Sequence, residues 1–219
     1  SGDTSNGKTI VDSGPNQLHG TCTGCSGFTG EGIDPEFAGI VGYDDAQWFN
    51  GTSTSVETTG FTTFYAANNK QTYKFNLAAN AATTSGVIIS GGVDINDNIQ
   101  VIDQNPTTLR VELKVAGTVY AVINIPSQKG KWTIVIDKAA TTVTVTDPLG
   151  VDRTNTASTA LFEARNLGDL VLGKRPQLND KFFTGVITDV SILDALDVES
   201  YAYTGLGNDP WKDTIGSNN

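Results

Sequence analysis

The sequence predicts an all-β protein, and three observations carry that expectation. Apolar and polar residues alternate in segment after segment, the period at which strand side chains leave opposite faces. Thr and Gly are abundant, 29 and 24 of 219 residues, and they favour strands and turns respectively. Long helical patterns are absent, and no apolar run approaches the roughly 20 residues that a membrane-spanning helix needs.

A chain of 219 residues buries a substantial core as one domain. With 38% hydrophobic and 17% charged residues it is neither membrane-inserted nor disordered. The formal net charge is −10, and the 14 Lys and Arg are scattered along the chain. A basic footprint for phosphate backbones is missing, so nucleic acid is not an expected partner. The acidity reads as solubility in a salty extracellular setting, with calcium binding as the sharper alternative. The chain starts at Ser1 and contains no Met, which reads as a processed product or an excised fragment with any secretory leader removed.

Taken in order, residues 1–9 read as a flexible lead-in. Ser13-Gly14-Pro15-Asn16 supplies turn chemistry before the first strand. Cys22 and Cys25, spaced C-T-G-C, could form a redox pair, half a zinc site or a local disulfide. A redox pair wants a helix N-terminus, and a tetrahedral zinc site wants four ligands where only these two Cys and His19 are offered. A local disulfide in an oxidising compartment is the favoured reading. Residues 26–45 form a long loop rich in Gly, Asp and Glu. Its Glu31, Asp34 and Glu36 do not alternate along one strand as paired glycosidase carboxylates would, because Gly32 and Pro35 intervene.

Asn50-Gly51 reads as a hairpin turn, and the sequon Asn50-Gly51-Thr52 as a coincidence within it. Residues 71–78 and 86–91 are strands, the first with Tyr73, Phe75 and Leu77 on one face. Asp94-Ile95-Asn96-Asp97-Asn98 opens like an EF-hand loop, but Ile99 replaces the expected Gly and no Glu closes it. An Asx-rich turn is favoured there, with a shallow calcium site through Asp94, Asn96 and Asn98 as the alternative. Leu109, Val111, Leu113 and Val115 alternate with Arg110, Glu112 and Lys114, then Ala116-Gly117 turns into a partner strand. This is the clearest hairpin, with the charges on a solvated face. Trp132 opens the next strand, Val143 and Val145 the one after, and Asp147-Pro148-Leu149-Gly150 closes a turn. Leu170 to Gly173 is a short strand, and Val186 to Leu193 alternates strictly. The following residues 194–199 read as a short helix-compatible turn. The tail, 204–219, is turn-rich and carries Trp211 after Pro210.

Phe183, Gly185, Ile187, Asp189, Val190, Ile192, Ala195, Leu196 and Glu199 make a pattern that resembles the closing strand of laminin-G-like jelly rolls, within the concanavalin A-like lectin and glucanase group. Upstream, Val11 to Gly20 with Asp12, Ser13 and Gly14, Ala46 to Gly51 with Val56, Gly130-Lys131-Trp132 with Val135, and Leu170 to Gly173 resemble further blocks of that family in family order. The resemblance implies a two-sheet antiparallel β-sandwich, a concanavalin A-like jelly roll, over residues 10–203. It implies a non-catalytic recognition or adhesion module that binds polysaccharide or surface glycan, in an extracellular, cell-surface or virion setting. Trp132 is then a core anchor, and Trp48, Tyr65 and Trp211 are the candidate sugar platforms. Related jelly rolls imply a structural calcium ion near the closing strand, for which Asp189 is the candidate ligand.

Two other classes stand beside this one. A structural subunit, such as a capsid decoration, fibre or surface-layer protein, would bind neighbouring subunits through an apolar patch, whereas a lectin would show a wet, concave pocket. A homo-oligomer is open in either class. A polysaccharide hydrolase or lyase is third: Arg110-Val111-Glu112-Leu113 is similar to the R-x-E-L block of alginate lyases, but the Q-x-H those enzymes need later in the chain occurs only at Gln17-Leu18-His19, far upstream.

Overall fold

The computed structural model describes residues 8–10, 20–23, 47–58, 69–80, 85–92, 96, 98–105, 107–115, 117–156, 170–196 and 199–203. In chain order the strands are β1 (Lys8–Ile10), β2 (Gly20–Thr23), β3 (Gln47–Asn50), β4 (Ser55–Thr58), β5 (Lys70–Asn80), β6 (Gly86–Gly92), β7 (Asn98–Asn105), β8 (Thr108–Val115), β9 (Thr118–Pro126), β10 (Gly130–Asp137), β11 (Thr142–Thr146), β12 (Asp152–Thr156), β13 (Leu170–Leu172), β14 (Thr184–Leu193) and β15 (Glu199–Tyr203). Among the described residues every regular element is a strand. The chain is an all-β jelly roll, a sandwich of two antiparallel sheets. One sheet runs β1-β2-β4-β13-β6-β7-β8-β9; the other runs β12-β11-β10-β5-β14-β15, with β3 also paired to β14.

The core fills the space between the sheets because each strand turns its apolar set inward. Ile99 and Val101 of β7 and Leu109, Val111 and Leu113 of β8 meet Tyr73, Phe75 and Leu77 of β5 and Trp132, Ile134 and Ile136 of β10. Trp132 is fully buried and stacks parallel to Phe75 at 6.4 Å between centroids. Its indole N–H donates to the Gln128 carbonyl at 3.0 Å, so the one polar atom of the ring is satisfied. Trp132 is therefore the core anchor that the family resemblance implied.

Three local expectations are corrected. Asn50-Gly51 does not close a hairpin; it carries the chain from β3 in one sheet to β4 in the other. The Asn50 Oδ1 accepts the backbone N–H groups of Thr52, Ser53 and Thr54 at 2.9, 2.8 and 3.1 Å, an Asx turn that replaces ladder bonds with side-chain ones. Strict alternation also fails in β14, whose register against β5 shifts between Val186 and Ile187 and again between Thr188 and Ser191. The bulge re-aims the strand, so Ile187, Val190 and Ile192 all enter the core despite their odd spacing. Finally, the described residues 194–196 after Leu193 form a turn and not a helix. Asp194 Oδ1 accepts the Leu196 N–H at 2.8 Å, and β15 returns antiparallel to β14.

Gly173, after β13, has φ +87, and a Cβ there would lie 2.2 Å from the Phe49 ring. Only glycine meets both conditions. It begins the loop that bears on the site below.

Candidate functional site

The site grows from the outward residues of β7 and β8. With Ile99, Val101, Leu109, Val111 and Leu113 in the core, the period of two sends Asn98, Gln100 and Ile102, and Arg110, Glu112 and Lys114, to the opposite face. Register pairs them directly: Asn98 with Lys114, Gln100 with Glu112, Ile102 with Arg110. The row through Gln100 continues across the sheet to Ser90 of β6, Val171 of β13 and Glu57 of β4.

The loop 173–183 builds a wall beside this face. Gly173 donates its N–H to the Ile88 carbonyl at 3.0 Å and accepts from the Phe183 N–H at 2.8 Å, clamping both ends. Within it, Arg175 and Asp180 exchange backbone hydrogen bonds at 2.9 and 3.3 Å. Their side chains form a bidentate pair, through Nε to Oδ1 at 2.7 Å and Nη2 to Oδ2. That hydrogen-bonded guanidinium holds the Asp180 carboxyl below the usual carboxylate range. The Lys181 carbonyl accepts the Val87 N–H at 2.8 Å, which ties the loop to β6.

Between loop and sheet lies a cleft of about 250 Å³. Asn98, Gln100, Ile102 and Gln104 come from β7, Arg110, Glu112 and Lys114 from β8, and Arg175 and Lys181 from the loop, with Ser85 ahead of β6. Its floor is polar yet almost closed to bulk water: Asn98, Gln100 and Glu112 are 1%, 4% and 9% exposed. Glu112 sits between two cations, with Arg110 Nη2 at 2.5 Å and Lys114 Nζ at 3.7 Å. Among the described residues neither the buried Arg110 Nε nor the Ser90 hydroxyl in the adjoining row has a hydrogen-bond partner.

Amide, guanidinium and carboxylate groups in one plane can each meet two neighbouring hydroxyls of a sugar ring. Among the described lining residues Glu112 is the one carboxylate. A second cavity, about 200 Å³, lies on the outer face of the other sheet, with Lys74, Asn76, Lys131, Thr133 and Ser191 around it.

The residues singled out from sequence fall as follows. Trp48 lies on β3 opposite Val186, and Asp189 lies on β14; their side chains are outside the described set. Cys22 pairs with Val56 and Lys8 in the ladder, with its side chain likewise outside. Cys25, Tyr65, Asp94 and Trp211 lie outside the described residues. Asn96 is exposed in the turn before β7, its carbonyl accepting the Gly117 N–H at 3.0 Å. Asn98 lines the cleft, facing Lys114 across the ladder. Among the described residues no three His, Cys, Asp or Glu gather to hold a metal.

The cleft itself was not legible as a site. Arg110, Glu112 and Lys114 looked like a solvated face because their alternation marks the outside of a strand and cannot report a loop folded beside it. The nearest sequence signal is the polar set Asn98, Gln100 and Gln104, interrupted by Ile102, opposite those charges.

No family model matches the chain. No curated protein matches it. Solved structures do match in fold. A mutant of NanB sialidase from Streptococcus pneumoniae superposes with a TM-score of 0.54 and 16% identity, over 68% of this chain and 25% of that one. Domain 4 of AbnA, a GH43 extracellular arabinanase from Geobacillus stearothermophilus, in complex with arabinotriose, matches with a TM-score of 0.52 and 14% identity, over 92% and 96% of the two chains. The botulinum neurotoxin serotype C1 binding domain matches at 0.55 and 13%, over 87% and 50%. This chain thus spans about a quarter of the NanB sialidase. At these identities the likeness is one of fold.

Proposed function

We propose that this chain is a non-catalytic glycan-recognition module of laminin-G-like type, displayed on a secreted, cell or virion surface. The sugar lies in the cleft between β7, β8 and the loop 173–183. The observation that carries this reading is the floor of nearly buried planar polar side chains, Asn98, Gln100 and Glu112, opening into a cleft of about 250 Å³. That volume lies just below the roughly 300–1,000 Å³ of pockets for drug-sized molecules, and suits one or two sugar rings. The AbnA domain 4, whose fold this chain shares, was solved with arabinotriose, which supports the sandwich as a scaffold for oligosaccharide.

Recognition is favoured over hydrolysis because Glu112 is held by Arg110 and Lys114, where a glycosidase sets two carboxyl groups across a bond. Against subunit packing, the exposed large apolar residues among the described ones, Val119, Leu149, Val151, Leu178 and Leu196, come from four separate places in the chain. The test is a polysaccharide-binding screen with the whole chain, followed by calorimetry on the hits. Gln100→Ala should weaken binding by about tenfold, the value of a hydrogen bond or two lost from a buried acceptor and donor, while the melting temperature changes little. Unchanged binding by Gln100→Ala would move the site elsewhere.

A further inference from the structure

We infer, resting on the glycan reading, that the sugar taken by this cleft carries an anionic group, a carboxylate or a sulfate. The chain as a whole is strongly acidic, with net charge −10, yet its polar cleft is lined by Arg110, Lys114, Arg175 and Lys181. Only two carboxylates answer them among the described residues. Glu112 is shared by Arg110 and Lys114, and Asp180 is taken by Arg175. Among the described residues Lys181 makes no ion pair and Arg110 Nε has no hydrogen-bond partner. The cleft therefore holds an excess of positive charge and a spare buried donor, and both are costly unless something meets them. A neutral sugar would satisfy the donor but leave the charge; a carboxylate or sulfate satisfies both.

The backbone at Lys181 points the same way. Its φ is +51, the left-handed region that Gly or Asn occupies more readily than Lys. The turn itself needs only the residue's carbonyl, which Val87 uses. What lysine adds at this position is its ammonium group at the cleft.

This placement supplies a clean variant, because Lys181→Asn removes the charge and suits the backbone. Calorimetry of the whole chain would use four probes: polygalacturonate for carboxylate, dextran sulfate for sulfate, and dextran and arabinan as neutral polymers. The expected result is binding of one or both anionic probes and neither neutral one, with Lys181→Asn weakening it about tenfold or more. The control Lys131→Asn, at the cavity on the other sheet, should leave it unchanged. Which anionic probe binds tells carboxylate from sulfate. Binding of dextran or arabinan that Lys181→Asn leaves intact would overturn the anionic ligand and leave the glycan reading standing. Equal weakening by Lys131→Asn would mean diffuse charge attraction and also overturn it. Binding of none of the four, with no hit in the wider polysaccharide screen, would overturn both.

Discussion

Gly173 is where the fold and the cleft are joined, and replacing it with alanine tests the geometry of both. Two costs add at this position. At φ +87 an alanine sits in the left-handed region, which costs about 1–2 kcal/mol. Its Cβ would also fall 2.2 and 2.4 Å from two Phe49 ring carbons and 2.9 Å from the Thr54 carbonyl oxygen. Phe49 is fully buried against Phe183, with ring centroids 6.0 Å apart, so the ring cannot swing into solvent, and overpacking of this kind costs about 1–3 kcal/mol more. Gly173→Ala should therefore lose about 2–5 kcal/mol of a total stability on the order of 5–15 kcal/mol. Gly150 is the built-in control: its φ is +78, but a Cβ there meets nothing within 4 Å. Gly150→Ala should cost the backbone share alone, about 1–2 kcal/mol. Urea titration of both variants, with thermal melting at about 2–4 °C per kcal/mol for a chain of this size, separates the two contributions. Equal losses in the two variants would refute the steric argument and the close seating of the loop base on Phe49.

Other expectations follow from the same geometry. Trp132→Ala should cost about 3–5 kcal/mol by leaving a cavity against Phe75, read by chemical denaturation. Asp180→Asn removes the carboxylate that holds Arg175, and because that carboxylate is 43% exposed the stability change should stay within about 1 kcal/mol. Acid should destabilise the fold through Asp147 and Asp180. The Arg153 guanidinium, then the N–H groups of Val151 and Leu149, hold the Asp147 carboxyl below its ordinary value, and Arg175 does the same for Asp180. A depressed folded value means stabilisation fully present above the ordinary carboxylate range and lost as pH falls through the folded values. Asp147→Asn should flatten the acid limb of a melting-against-pH curve, and an unchanged limb would exclude Asp147 from it. For the structural calcium implied by the family resemblance, any calcium-dependent rise in melting temperature should vanish in Asp189→Ala; a rise that persists would exclude that residue as a ligand.

Local pattern was enough to mark the longer alternating strands, but not β1, β7, β12 or β15. Alternation in 109–115 and in 71–77 is set by residues two apart along one chain, so it survives without knowledge of partners: β8 and β5 turn Leu109, Val111 and Leu113, and Tyr73, Phe75 and Leu77, into the core. The turns at Gly117 and Gly150 were legible for the same reason, since a positive φ is a local demand. What followed from contacts between distant segments was not. The register shifts in β14 arise against its partners β5 and β15, and Asn50 becomes an inter-sheet connector only because β3 pairs with β14 while β4 pairs with β2 and β13. The cleft belongs wholly to this second kind. Arg175 lies 65 positions beyond Arg110 in the chain, and the two share a wall and a floor only because Gly173, Phe183 and Val87 bond the loop against β6 and its neighbour. Charge pattern along a strand says that a face is outside the core; whether that face meets open water or the side of a cleft is decided by tertiary structure.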